Sequence, residues 1–268
     1  MRRLLQISDV HFGRPHRPEI AAGVLRLIAQ REPDLVVVAG DLTQRAKPRE
    51  FAQVRQWIDS MAVPTLAVPG NHDVPMYRFW ERLFSPYGAY RKHFSANLEP
   101  VIEDDELFVI GINSAFNWTV QGGRVTPRRI RNLERQLAAA PEGKTIVAVV
   151  HHDLIPPPRF GSQQVAVNAA SLVRVLASGG VRLVLSGHEH QSYCALAESY
   201  YPGVGASMVV AHSGTMTSDR GRGCERDRNT GFWIEIDAGW VRLVTLEWDR
   251  DRGEFRERLS HEFPAIEP

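Results

Sequence analysis

The chain has 268 residues, and its hydrophobic and charged contents of 43% and 24% are those of an ordinary globular protein. Its 32 basic and 31 acidic side chains nearly cancel, so the net charge of +1 excludes strong bulk attraction to a polyanion. No apolar run approaches the roughly 20 residues that cross a bilayer, and the polar start does not resemble a signal peptide, so we expect a cytoplasmic protein. Cys194 and Cys224 cannot build a disulfide framework and are expected to be free thiols.

Aliphatic runs alternate with amphipathic segments over the first two-thirds of the chain, which predicts strands alternating with helices. The runs are continuously apolar, as is typical of strands that are buried on both faces. The predicted strands are residues 4–7, 35–38, 66–68, 107–112, 146–150 and 183–185. The predicted helices are residues 20–30, a segment that begins at Pro48, and residues 77–84, 127–139 and 169–177.

The pattern becomes richer in strands beyond residue 192. We predict strands at residues 207–211, 231–236 and 241–248, and alternating apolar side chains indicate that the last two form an antiparallel hairpin. Residues 156–162 and 217–228 are predicted loops, and the second is expected to be mobile or ligand-facing. Arg220 and Arg222 in the second loop could contact an anionic substrate, although we expect a solvated loop. Because no repeat or low-complexity linker interrupts the chain, we expect residues 1–268 to form a single domain with a β-rich C-terminal part from about residue 192.

Five predicted strands end in side chains that bind metals. Open α/β sheets place their ligands at the carboxyl ends of strands, so we expect these side chains to meet at one sheet edge. Carboxylate, amide and imidazole groups without thiolates favour ions such as Fe, Mn or Zn over a structural zinc site. The five segments are Asp9-Val10-His11, Gly40-Asp41, Gly70-Asn71-His72-Asp73, His151-His152 and Gly187-His188-Glu189-His190.

The number of candidate ligands exceeds what one ion needs, but it suits two ions that share a bridging carboxylate. His152 is an alternative to the preferred His151, which ends its aliphatic run directly. Glu189 is expected to point away from the site, and His212 matches no ligand motif. The seven candidates are Asp9, His11, Asp41, Asn71, His151, His188 and His190.

The order of these motifs over residues 9–190 resembles the calcineurin-like metallophosphoesterase superfamily, and within it the bacterial class III cyclic-nucleotide phosphodiesterases most. The resemblance implies an α/β fold of the α+β type, a four-layer αββα sandwich of two mixed β-sheets flanked by helices. It places a metal site at the strand C-terminal ends. It also implies a binuclear-metal-dependent phosphodiesterase in which a metal-bridging hydroxide attacks the phosphodiester, with a 3',5'-cyclic nucleotide as a candidate substrate.

The same resemblance assigns a role to each matched residue. His72 would be the catalytic acid, or would stabilise the phosphate, and Asp73 would orient its imidazole. Asn71, His72 and Arg45 would bind the substrate. The first metal ion would be held by Asp9, His11, Asp41 and His190, and the second by the bridging Asp41 with Asn71, His151 and His188.

Two motif positions differ from those of related families, which reduces the number of candidate substrate classes. The segment around Arg45 lacks the Asp-Arg-Gly of protein Ser/Thr phosphatases, and Asp73 stands where those enzymes have Glu. Pyrophosphatases of the superfamily that act on a nucleotide-linked lipid precursor have Arg at the position of His72. Both departures favour the phosphodiesterase hypothesis.

Two alternatives remain open. Tyr77, Phe79 and Trp80 could form an acyl-chain entry for a lipid precursor, although we expect them to pack in the core. A non-catalytic scaffold need not retain its metal ligands, yet all the matched positions are present here. For the enzyme, the resemblance implies a small-molecule phosphodiester substrate and a homodimer, and the sequence has neither a membrane span nor a nucleic-acid signature.

Overall fold

The computed structural model describes residues 1–119, 121–157, 165–205 and 207–264. These residues form two mixed six-stranded sheets, which we name sheet I and sheet II. Sheet I contains, in spatial order, β12 (Glu254–Pro264), β11 (Trp240–Asp249), β10 (Thr230–Ile236), β1 (Arg2–Ile7), β2 (Leu35–Val38) and β3 (Thr65–Ala67). Sheet II contains β4 (Val101–Glu103), β5 (Leu107–Ile112), β6 (Thr145–Val150), β7 (Val181–Ser186), β9 (Val209–His212) and β8 (Tyr193–Leu196).

Helices cover the outer face of each sheet. Along β2, Val37 packs between the two sheets, whereas its neighbour Val36 packs on the helix side, because successive side chains of a strand point to opposite faces. In β6, Val147 and Ala148 divide in the same way. The predicted four-layer sandwich is therefore confirmed. The helices are α1 (Pro18–Arg31), α2 (Pro48–Asp59), α3 (Phe79–Phe84), α4 (Gly88–His93), α5 (Pro127–Ala138) and α6 (Ala169–Ser178).

The C-terminal strands complete both sheets. Strand β10 pairs antiparallel with β1, and β10 and β11 form the predicted hairpin. Strand β12, which was not predicted, extends this hairpin as an edge strand with mostly exposed side chains. Charged residues interrupt any apolar run along β12, as is common in edge strands that avoid pairing with other chains.

Helix α3 differs from the expectation. The helix is shorter than the predicted 77–84, and none of its residues is buried. The expectation that Tyr77, Phe79 and Trp80 pack in the core is wrong, because these side chains are 74%, 65% and 69% exposed. Strands β4 and β8 and helix α4 were also not predicted, since each is short and half-buried or exposed at most positions.

The remaining expectations concern loops, thiols and membranes. Part of the predicted loop at residues 156–162 lies outside the described residues. Cys194 and Cys224 are free, as expected. Among the residues that the structure describes, no helix combines the length and the apolar character needed to cross a bilayer.

Candidate metal centre

Strained backbone turns carry the polar side chains into the site. In the described residues, five of the eight non-glycine positions with positive φ fall within the metal-binding motifs. L-residues rarely adopt this conformation, and it is retained mainly where the surrounding structure enforces it, often at functional sites. The five residues are Asp9 (53°), His11 (45°), Asp41 (50°), His188 (80°) and His190 (56°).

Two glycines of the motifs leave the space that these turns need. Gly40 has a φ of +88°, and a Cβ there would lie 2.5 Å from Nδ1 of His151. A Cβ on Gly70 would collide with the carboxylate of Asp41. Glycine at both positions therefore lets the strand ends of sheet I approach the ligands closely.

The first group of candidate ligands consists of four buried side chains whose ligand atoms all lie within 4.8 Å of one another. The Nε2 atoms of His11 and His190 face each other at 3.2 Å. Oδ1 of Asp9 lies 3.0 Å from Nε2 of His190, yet it accepts no hydrogen bond among the described residues. This convergence suits a cation. The group is Asp9, His11, Asp41 and His190.

The second group lies on the other side of the Asp41 carboxylate. Oδ1 of Asn71 lies 3.1 Å from Nε2 of His151 and 3.0 Å from Nδ1 of His188. Oδ1 of Asp41 lies 3.3 Å from Nε2 of His151, while its Oδ2 lies 3.6 Å from Nε2 of His11. Asp41 is thus in contact with both groups, as a bridging ligand would be.

The charge states of most of these groups suit metal binding, which requires neutral imidazoles and ionised carboxylates. Burial lowers the pKa of both His11 and His188 to about 3. Burial alone would raise the pKa of Asp41, but nearby His151 and His72 hold it well below its usual range. His151 differs. Burial, the largest single effect, lowers its pKa, but the charge and hydrogen bond of Asp41, with Asp9 and the Ala39 carbonyl, together raise it to about 10, so a metal ion must displace a proton there.

Hydrogen bonds to residues outside the two groups hold the candidate ligands in position. Nδ1 of His151 lies 2.8 Å from the Ala39 carbonyl oxygen, which directs its Nε2 towards the site. The hydroxyl of Ser8 donates to Oδ2 of Asp9 at 2.5 Å. Such contacts hold metal-binding side chains in one orientation and one tautomer. Ser8 was not predicted as part of the site, although it directly precedes the first motif.

His72 lies beside the ligands. Its Nε2 is 4.0 Å from Oδ2 of Asp41, and its Nδ1 is 3.0 Å from the carbonyl oxygen of Gln44. The prediction that Asp73 orients this imidazole is wrong, because the Asp73 carboxylate is occupied by backbone N–H groups. It accepts hydrogen bonds from the backbone of Leu42, Thr43 and Gly70. Asp73 therefore holds together the two loops that carry Asp41 and His72.

The centre opens into a cavity of about 240 Å³, which we name the catalytic cavity. Arg45 lies at its rim, where Nη1 donates to the Tyr77 hydroxyl at 3.0 Å. Arg220 and Arg222 also line this cavity, which agrees with the alternative of a ligand-facing loop. Arg222 is paired with Glu189 at 3.2 Å, so the Glu189 carboxylate is engaged at the rim.

Two further histidines lie near the second group. His152 belongs to a cluster with His151 and His188 whose ligand nitrogens lie within 4.8 Å, and its Nδ1 is 2.8 Å from the Ser114 hydroxyl. Burial lowers the pKa of His152 well below its usual value, so its ring is neutral. His212 forms a buried pair with Asp153 at 2.8 Å, which joins β9 to the loop after β6.

Comparison with known proteins identifies the family. The sequence profile of the calcineurin-like phosphoesterases matches residues 2–192. The chain belongs to this family. It is a metal-dependent phosphoric ester hydrolase, and its converging donors fit the divalent metal ions that the family uses.

Individual relatives agree with this assignment. The chain is 30% identical over 204 residues to a probable cyclic nucleotide phosphodiesterase of Synechococcus sp., which covers 71% of this chain and 74% of the relative. It is 31% identical over 202 residues to the 3',5'-cyclic adenosine monophosphate phosphodiesterase CpdA of Escherichia coli, covering 70% of each chain. A dimetal phosphatase from Danio rerio shares the fold, with a TM-score of 0.69 at 11% identity over 99% of both chains.

The contacts of Asp41 predict the effect of removing its charge. Asp41→Asn keeps the shape of the side chain but weakens both groups of ligands. This variant should therefore bind fewer than two manganese ions per chain, whereas the wild type should bind two. Metal analysis of the reconstituted proteins measures the difference. Asp59→Asn, an exposed carboxylate of α2 paired with Arg55, is the matched control and should bind like the wild type. Two ions in Asp41→Asn would contradict a bridging role.

Proposed function

We propose that the protein is a phosphodiesterase that uses two metal ions, one held by each group of ligands. The contacts of Asp41 with both groups carry this proposal. When bound, the two ions would supply an activated water and positive charge for the phosphoryl oxygens. The donors suit iron, manganese or zinc. The first ion would be held by Asp9, His11, Asp41 and His190, and the second by Asp41, Asn71, His151 and His188.

We assign the proton for the leaving oxygen to His72. The Gln44 carbonyl can only accept a hydrogen bond, so it fixes a proton on Nδ1 of His72. The second proton of the imidazolium is then on Nε2, the nitrogen that lies near Asp41 at the catalytic cavity. From this position His72 would donate to the departing alkoxide as a general acid.

Substrate contacts are assigned to residues that line the catalytic cavity. The Arg45 guanidinium is held at the rim by Tyr77, where it would bind a phosphate oxygen. Asn71 and His72 would contact the same phosphoryl group from the metal side. The names of two relatives support a 3',5'-cyclic nucleotide as the substrate.

We propose further that residues 1–268 act as one domain. The pairing of β10 with β1 supports this, since the β-rich part after residue 192 shares sheet I with the first strand. A homodimer, common among related phosphodiesterases, also remains a proposal.

One observation favours a second candidate, a pyrophosphatase that acts on a nucleotide-linked lipid precursor. Tyr77 lines the catalytic cavity and is followed by exposed Phe79 and Trp80. Exposed aromatic side chains at a cavity mouth could contact an acyl chain.

The role of His72 predicts a dependence on the leaving group. His72→Ala should lower kcat by ~10²–10⁴-fold for a substrate that releases an alkoxide, the range for a lost general acid. The loss should be much smaller for bis(p-nitrophenyl) phosphate, because nitrophenolate leaves without a proton. His93→Ala, at the end of α4, is the control. Equal losses on both substrates, or loss of the metal ions, would exclude the general-acid role.

A substrate panel distinguishes the candidate functions. The manganese-reconstituted enzyme should hydrolyse phosphodiesters, including 3',5'-cyclic nucleotides, with higher kcat/KM than phosphomonoesters. Initial rates on cyclic AMP, cyclic GMP, AMP and a nucleotide-linked lipid precursor provide the comparison. A strong preference for the monoester would contradict the phosphodiesterase, and a preference for the lipid precursor would favour the pyrophosphatase. A metal-loaded protein without activity on any member would support a scaffold.

A further inference from the structure

A second cavity adjoins the catalytic cavity. It has a volume of about 650 Å³, and we name it the outer cavity. Gln44, Arg45 and Arg220 line both cavities, so the two lie side by side with these three residues between them. The other residues of the outer cavity are Arg14, Pro15, Lys47, Glu50 and Asp219.

Four basic side chains line the outer cavity without an acidic partner. Among the described residues, Arg14, Arg45, Lys47 and Arg220 form no ion pair within 4.0 Å, in contrast to Arg222, which is paired with Glu189. The two arginines between the cavities are held by neutral groups instead. Arg45 donates to the Tyr77 hydroxyl, and Nη1 of Arg220 donates to Oε1 of Gln44 at 3.0 Å.

The two acidic residues of the outer cavity are already engaged. Oε2 of Glu50 accepts hydrogen bonds from the backbone N–H groups of Arg45 and Lys47, at 2.8 and 3.3 Å. Asp219 is paired with Arg17, which does not line the cavity. The outer cavity therefore has an excess of positive charge in a chain whose net charge is only +1.

Arg220 connects this charge to the metal centre. Its backbone carbonyl accepts a hydrogen bond from Nδ1 of His190, and Gln44, which holds its guanidinium, also holds Nδ1 of His72 through its own carbonyl. The Arg220 side chain is half-buried, so its position is set by the same loops that position the ligands. An anion bound by Arg220 in the outer cavity would thus lie next to the metal centre.

We propose that the outer cavity is a subsite for a second phosphate group of the substrate. The proposal rests on the phosphodiesterase function, in which the metal centre and Arg45 meet the single charge of the scissile phosphodiester. Arg14, Lys47 and Arg220 are then left without an ion-pair partner among the described residues. Guanidinium groups suit this role, since their planar donors match phosphate oxygens. A 3',5'-cyclic nucleotide has one phosphate and would not fill the subsite. The preferred substrate class is therefore a phosphodiester with an additional phosphate on the same nucleoside.

Binding of two product-like probes tests the subsite. On the manganese-loaded protein, calorimetry should show that adenosine 3',5'-bisphosphate binds at least about tenfold more tightly than 5'-AMP, which corresponds to about 1.4 kcal/mol. The advantage should shrink as salt is raised. The Arg14→Gln/Lys47→Gln variant should lose most of the advantage. Arg174→Gln/Lys92→Gln removes an exposed arginine and lysine elsewhere and should retain it.

The possible results separate this subsite from the phosphodiesterase function. Equal affinities of the wild type for the two probes would overturn the subsite, as would an unchanged advantage in the Arg14→Gln/Lys47→Gln variant. Failure of the phosphodiesterase function has a different signature, since the manganese-loaded protein would then hydrolyse no phosphodiester, whatever the ratio of the two affinities.

Discussion

The rest of the site depends on the carboxylate of Asp41, which contacts side chains that follow strands of both sheets. Asp41 follows β2 of sheet I, and His151, on the far side of its Oδ1, follows β6 of sheet II. Its Oδ2 faces His11, which follows β1. A buried carboxylate is costly unless it is paired. Here the pairing groups come from both halves of the sandwich, so the packing between the sheets sets the geometry of the metal centre.

This geometry requires a strained backbone. Positive φ at Asp9, Asp41 and His188 turns the chain sharply at the ends of β1, β2 and β7, and each such residue costs about 1–3 kcal/mol. The inter-sheet core, which includes fully buried Leu4, Val37 and other aliphatic side chains, offsets this cost. The aliphatic runs form a stable sandwich. This stability allows the polar motifs that follow the runs to adopt the strained backbone that the metal centre needs.

Much of the fold and of the ligand set could be predicted from the sequence, because both depend on local patterns. Continuous aliphatic runs identify strands that are buried on both faces. Strand ends place Asp9 and Asp41 at the carboxyl edge of sheet I and His151 at the facing edge of sheet II. The orientation of His72 could not be predicted in this way. Its partner is the backbone carbonyl of Gln44, and every residue has such a carbonyl, so no side-chain pattern marks it. Asp73 was a plausible partner by proximity, but its carboxylate satisfies three buried N–H groups instead.

Features that depend on long-range packing were also missed. Arg220 lies in a segment rich in Arg, Asp and Gly, for which both a solvated and a ligand-facing loop were open and solvent was expected, yet Arg220 lines the catalytic cavity. Strand β12 was overlooked because an exposed edge strand needs no apolar run. The aromatic residues of α3 suggested core packing, since sequence gives the hydrophobicity of a segment but not what lies against it.

Electron paramagnetic resonance of the manganese-loaded protein tests most directly whether one carboxylate joins two ions. With two equivalents of manganese, the predicted result is the signal of an exchange-coupled pair, because ions that share the Asp41 carboxylate are close enough for their spins to interact. The spectrum of isolated manganese ions, with an intensity that doubles between one and two equivalents, would contradict the shared site.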